Sequence, residues 1–265
     1  MKTQVQTVTP EMAAHFLQKN INNRVYRKNW VTHLSNVIKN GEWLVTHQGI
    51  AFDKNKNLID GQHRLLAIIE SGIPVKINVT FDAGEDTFSC IDTGVKRTLS
   101  DSTRFPKRTA EVCAFMGRFL NGSFKTILTA SAANEIYNNG IGKYSNELND
   151  FCNKNIKFYS SVPFRLAAVI MVMDGHDKEY VFNTYYNLVN LHMAKLPPIA
   201  HSLIKQVHDN NINTHEKHYT VGRAFKVLDV KRQNSKLVLS ENDLANVVPY
   251  VKNVYKNYQI NSFNE

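Results

Sequence analysis

The stretch Leu58-Ile59-Asp60-Gly61-Gln62-His63-Arg64-Leu65-Leu66-Ala67 concentrates the residue types that handle phosphate. An apolar run leads into Asp-Gly, and an apolar helical pattern leads out, so the segment reads as a strand feeding a helix. The first N–H groups of such a helix lack internal partners and its dipole presents partial positive charge, which favours an anion. Gly61 lets backbone approach a ligand closely. Gln62, His63 and Arg64 add side-chain donors, and the arginine fork suits bidentate phosphate contact. Asp60 orients Arg64 or His63, or holds a Mg²⁺ that bridges phosphates. Asp60 and His63 are accordingly the candidate catalytic groups of this turn. The structural alternative makes Asp60 an N-cap, Gly61 a turn residue, and His63 and Arg64 solvated first-turn residues.

A second constellation follows at Ile91-Asp92-Thr93-Gly94-Val95-Lys96-Arg97-Thr98-Leu99-Ser100-Asp101. Asp92-Thr93-Gly94 is a turn with amides to offer, and Thr93, Lys96 and Arg97 would add donors and positive charge to the same anion. Asp92 is the second candidate catalytic acid and, with Asp60, a candidate Mg²⁺ ligand. Asp101 is a third carboxylate whose alternative role is to pair with Arg97 or cap the next helix.

The Asp-Gly-Gln-His-Arg-Leu sequence after Gly49-Ile50-Ala51-Phe52-Asp53, followed by Gly72-Ile73-Pro74-Val75, resembles the ParB/sulfiredoxin superfamily and its DGQHR-type members. The Asp92-to-Arg97 segment is similar to the IDxGxxRT stretch that follows the motif in phage and bacterial relatives. The resemblance spans about residues 40–105. It implies a small α/β domain whose turn, here Gly61, His63 and Arg64, binds the phosphates of a nucleotide such as ATP or CTP. Gln62 stands where sulfiredoxins carry a cysteine, which argues against sulfinic acid reduction. The second phosphate motif of partitioning ParB proteins is not recognisable, so the resemblance does not extend to CTP-gated clamping.

Several elements must position these groups. Thr9-Pro10-Glu11 starts a short helix over 9–20, and Trp30, Leu34, Val37 and Ile38 mark another from about 27 to 39, closed by Asn40-Gly41. Residues 49–53 and 58–60 pair across the polar turn Lys54-Asn55-Lys56-Asn57. The motif helix ends near Ser71-Gly72, a strand alternates through Val75, Ile77, Val79 and Phe81, and residues 84–91 read as one more helix. Beyond Pro106 the texture is helical, at roughly 107–121, 129–138, 144–154, 162–173, 177–192, 197–208, 219–231 and 241–257. The expected class is α+β, with an α/β domain over 1–105 and an all-helical domain over 106–265.

The helical half carries weaker signals. Residues 129–144 resemble a helix-turn-helix faintly. Arg223, Lys226, Lys231 and Arg232, with Tyr219 and Phe225 interleaved, are the candidate nucleic-acid contacts, a solvated helix face being the alternative. His176 and the His215/His218 pair lack further ligands at zinc spacing. Leu166–Met173 reads as core helix, and no Walker A, GxSxG, HExxH or Rossmann glycine pattern occurs.

The formal charge of +9 and pI of about 9.3 suit an anionic partner. Cys90, Cys113 and Cys152 form no closely spaced pair, which fits a reducing cytoplasm, and lysine- and asparagine-rich usage resembles AT-rich phage or bacterial genomes. No apolar run is long enough to span a bilayer, and no export signal is recognisable. The expected protein is a cytoplasmic, DNA-associated nucleotide binder of a bacterial cell or phage-infected host, with DNA and a second copy of itself as partners. NTP hydrolysis is its candidate reaction. Phosphotransfer, metal-dependent nuclease chemistry and non-catalytic DNA binding are the alternatives.

Overall fold

The computed structural model describes residues 1–21, 23, 25–84, 98–123, 126–156, 158–209, 211–212, 217–231 and 236–262. The chain divides into two compact units: Met1–Lys96 with Lys125–Thr129, and Arg97–Phe124 with Ala130–Glu265.

The first unit is an α/β layer. Its sheet has the order β1 (Lys2–Val8), β4 (Val75–Ala83), β2 (Ile50–Asp53), β3 (Leu58–Asp60). Strands β1 and β4 run antiparallel with Val8 opposite Val75 and Gln4 opposite Val79; β2 and β4 are parallel; β2 and β3 form the expected antiparallel hairpin. The parallel β2–β4 pair requires a crossover, and α3 (Gln62–Ser71) supplies it. Helices α1 (Pro10–Leu17) and α2 (Lys28–Lys39) pack against α3. One core joins them: Val31 and Ile38 of α2, Leu65 and Ile68 of α3, and Ile50, Phe52, Ile77 and Val79 of the sheet are all buried.

Local chemistry accounts for these boundaries. Helix α1 starts where Thr9 Oγ1 accepts from Met12 N at 3.2 Å, with Pro10 at the first position, and α3 stops at left-handed Gly72. Strand β1 has no counterpart in the sequence reading. Six of its seven residues are exposed or only half-buried, so it lacks the alternating apolar face that would announce a strand.

The second unit is helical among the described residues. Helix α4 (Leu99–Thr103) packs on α5 (Lys107–Asn121) and α6 (Ala130–Ile136), so it groups with this unit although it precedes residue 105. Helix α6 runs through a π turn at Tyr137–Ile141, kinked at Asn139 and Gly140, into α7 (Gly142–Phe151). The backbone leaves helical angles at Asn139 and Gly140, so α6 and α7 are two helices that meet at this kink. Helices α9 (Lys178–Val189), α10 (Pro198–His208), α11 (Lys217–Leu228) and α12 (Glu241–Ser262) complete the unit around α8 (Val162–Met173).

Helix α8 is the axis: residues from Pro163 to Val172 are all buried, and α5, α7, α9, α11 and α12 all touch it. A helix apolar on every side can only be stable when surrounded. Its one charged member, Arg165, is 1 % exposed and donates to the Ser160 carbonyl at 3.1 Å and to Asn149 Oδ1 at 2.5 Å. It also lies over the Tyr185 ring, 5.8 Å from the centroid.

Candidate functional site

Strand β3 ends at Asp60, and the chain turns into α3 through Gly61 at φ 101°, ψ 3°. A side chain here would be strained twice. The conformation is left-handed, and a Cβ would lie 3.0 Å from Ile50 Cα and 3.2 Å from the Gly49 carbonyl. The glycine thus seats the turn directly against the start of β2.

Asp60 does not cap α3 in the usual way. Its Oδ1 accepts from the adjacent Gly61 N–H at 2.6 Å, while Oδ2 stands 3.5 Å from Arg64 Nη1. Arg64 is only 19 % exposed and points back to the entry of β2, where Nη1 donates to the Gly49 carbonyl at 2.9 Å and Nη2 to Gln48 Oε1 at 3.0 Å. The guanidinium therefore ties turn, helix and neighbouring strand together, with donors left over at the rim.

His63 is also engaged. Its Nε2 accepts from Arg27 N–H at 3.0 Å, so that nitrogen is unprotonated and the ring proton belongs on Nδ1. Arg27 is the N-cap of α2, and so the N-termini of α2 and α3 lie side by side. Neither helix has a side-chain cap at its start, and neither carries an acidic residue in its first turn. Two positive helix ends and the Arg64 guanidinium sit together, with Asp60 the carboxylate at hand.

The other candidate residues fall elsewhere. Asp92, Thr93, Lys96 and Arg97 lie outside the described residues, as do Cys90, His215, Arg232 and most of the helix expected over 84–91. Asp101 follows its structural alternative: its Oδ2 accepts from Thr98 N–H and Oγ1 at 2.7 Å each, closing a capping box at the start of α4. Asp53 holds the hairpin by accepting from Asn57 N at 2.8 Å and Asn57 Nδ2 at 2.9 Å. Among the described residues no group of three or more His, Cys, Asp or Glu side chains is placed to hold a metal ion.

The basic stretch of α11 differs from the expected exposed cationic face. Arg223 is half-buried, its Nη1 buried without a hydrogen bond, and burial pulls its pKa down. Lys226 donates to the Val238 carbonyl at 2.8 Å and pairs with Asp243, which keeps its ammonium inside the helical unit. Burial pushes the Asp243 carboxyl up, but hydrogen bonds from Lys226 and Ser240 outweigh it and hold the group at about 2. Lys231 alone of the described candidates is exposed. This ion pair borders a cavity of about 210 Å³ lined also by Met171, His176, Phe225 and Tyr250.

No protein-family model matches this chain, and neither does any curated protein or solved structure. The functional reading therefore rests on the residues of the turn and on their surroundings. The partners that sequence reasoning missed are Gln48, Gly49 and the Arg27 amide. Arg64 reaches back fifteen residues to Gly49 and His63 thirty-six to Arg27, separations at which spacing carries no signal.

Proposed function

We propose that the Asp60–Arg64 turn binds the phosphate groups of a nucleotide such as ATP or CTP, and that the protein works in association with DNA. The observation that carries this reading is the start of α3. It opens from a left-handed glycine with no side-chain cap and no first-turn acid, beside the equally uncapped start of α2. Phosphate oxygens would answer both dipoles and accept from first-turn amides of α3. Arg64, already oriented by Gly49 and Gln48, would contribute its remaining donors.

Asp60 fits Mg²⁺ in the manner usual for nucleotide sites, where one or two carboxylates and the substrate phosphates share the ion. Both of its oxygens already have partners, Oδ1 the Gly61 N–H and Oδ2 the Arg64 guanidinium at 3.5 Å, so the ion would share the carboxylate with them. The ion would supply charge neutralisation between phosphates. Among the other candidate groups, His63 Nε2 accepts from Arg27 N–H, Asp53 holds the hairpin turn and Asp101 caps α4.

The test is thermal unfolding with each nucleoside triphosphate and Mg²⁺. A ligand at a hundredfold excess over its Kd adds about 2.7 kcal/mol to apparent stability. Gln62→Glu places an acid in the first turn of α3, which favours the ligand-free helix by about 0.3–1 kcal/mol while repelling phosphate. The expected result is a stabilising shift for at least one nucleotide that disappears in Gln62→Glu. A wild-type protein that no nucleotide stabilises, or a shift that survives the substitution, would remove the site from the turn.

A further inference from the structure

We infer that the start of α2, from Tyr26 to His33, is a docking surface for single-stranded nucleic acid, its unpaired bases stacking on Tyr26 and Trp30 and its phosphates meeting Arg27 and Lys28. The inference rests on the nucleic-acid half of the function proposed above and places that contact on the first unit rather than on α11.

Three observations carry it. Aromatic surface is left in water: Tyr26 is 49 % and Trp30 41 % exposed, although each ring would gain from burial. The intervening Arg27, Lys28 and Asn29 are exposed as well, so two planar rings flank a pair of cations along one short segment. The Trp30 indole is also prearranged. It stacks on the His33 imidazole, centroids 4.9 Å apart and planes 28° from parallel, and His33 Nδ1 lies 3.4 Å from the Ile127 carbonyl. Burial lowers the His33 pKa, which favours the neutral ring beneath the indole.

Charge selects the occupant. Residues 12–41 contain no Asp or Glu and five Lys or Arg, Lys19, Arg24, Arg27, Lys28 and Lys39. The acid nearest in sequence, Glu42, accepts from Asn40 Nδ2 at 3.2 Å. An anionic polymer is attracted to such a stretch, and one with free planar faces also uses the rings. A duplex hides its base faces in the stack and would engage the cations alone, which is why the single strand fits better. An anionic lipid surface would use the same cations but not the stacking geometry.

The experiment is fluorescence anisotropy with a labelled fifteen-residue oligothymidylate, without nucleotide, across a salt series. Wild type is expected to bind it more tightly than a duplex of equal length and to show tryptophan quenching. Trp30→Ala should weaken binding about 5- to 150-fold, as loss of one stacked base implies, and Trp30→Phe should restore much of it. Arg27→Ala with Lys28→Ala should lower the slope of log K against log salt by about 1.4. Each variant is checked by circular dichroism for native helix content.

Three results would overturn the inference: oligonucleotide binding untouched in Trp30→Ala, equal affinity for duplex, or binding to phosphatidylserine vesicles with none to the oligonucleotide. Because no nucleotide is present, these results leave the nucleotide-dependent thermal shift and its loss in Gln62→Glu unaffected, so the two readings fail separately.

Discussion

Gly61 shows how one residue serves two requirements at once. The backbone freedom that would admit a phosphate also admits Ile50 and Gly49, whose atoms fill the space a Cβ would need. Gly61→Ala should therefore cost about 1–3 kcal/mol in urea unfolding with no ligand present, through left-handed strain and the clash with β2. A change below about 0.5 kcal/mol would mean the turn relaxes freely. Arg64 has the same double character, because two of its bonds are to the Gln48–Gly49 segment. For that reason Gln62→Glu, which leaves those bonds in place, is the cleaner probe of anion binding.

Among the elements, α8 carries the second unit. Leu166, Ala168, Val169 and Ile170 are 0 % exposed, and five other helices close around them. Leu166→Ala should lower stability by about 2–5 kcal/mol, the transfer loss plus the cavity left by a site that cannot collapse. Equilibrium denaturation measures this directly, and a loss under 1 kcal/mol would contradict the central position of α8. The periodic segments after Pro106 were legible because each buries a stripe or a whole surface of apolar residues. Strand β1 was not, since it pairs through backbone while presenting Gln4 opposite Val79 and Gln6 opposite Ile77.

Across the whole molecule, charge that looks uniform in composition is organised by burial. His33 is held below its ordinary value of 6.5 chiefly by burial. The unfolded chain thus takes up this proton first, and the stabilisation from neutral His33 is complete above 6.5 and lost as pH falls below it. Asp243, despite burial, is held down to about 2 from 3.8, so its contribution is complete above 3.8 and lost as pH falls through about 2. Urea unfolding from pH 7.5 to 2.5 should show both windows. His33→Phe should flatten the first and Lys226→Met the second, and profiles parallel to wild type would refute the assignment.

The sequence by itself determined the hairpin, the strand–glycine–helix turn with its residue types, and most helices of the second unit, because caps, turn residues and apolar periodicity act over a few positions. Tertiary structure alone decided what those residues touch. It set the Arg27 amide on His63, aimed Arg64 at β2, withdrew Lys226 into an ion pair with Asp243, and left Tyr26 and Trp30 in solvent. These outcomes join residues up to thirty-six positions apart or depend on which side of a helix meets a neighbour. Packing fixes such pairings after the local elements exist, and no local pattern of residue types encodes them.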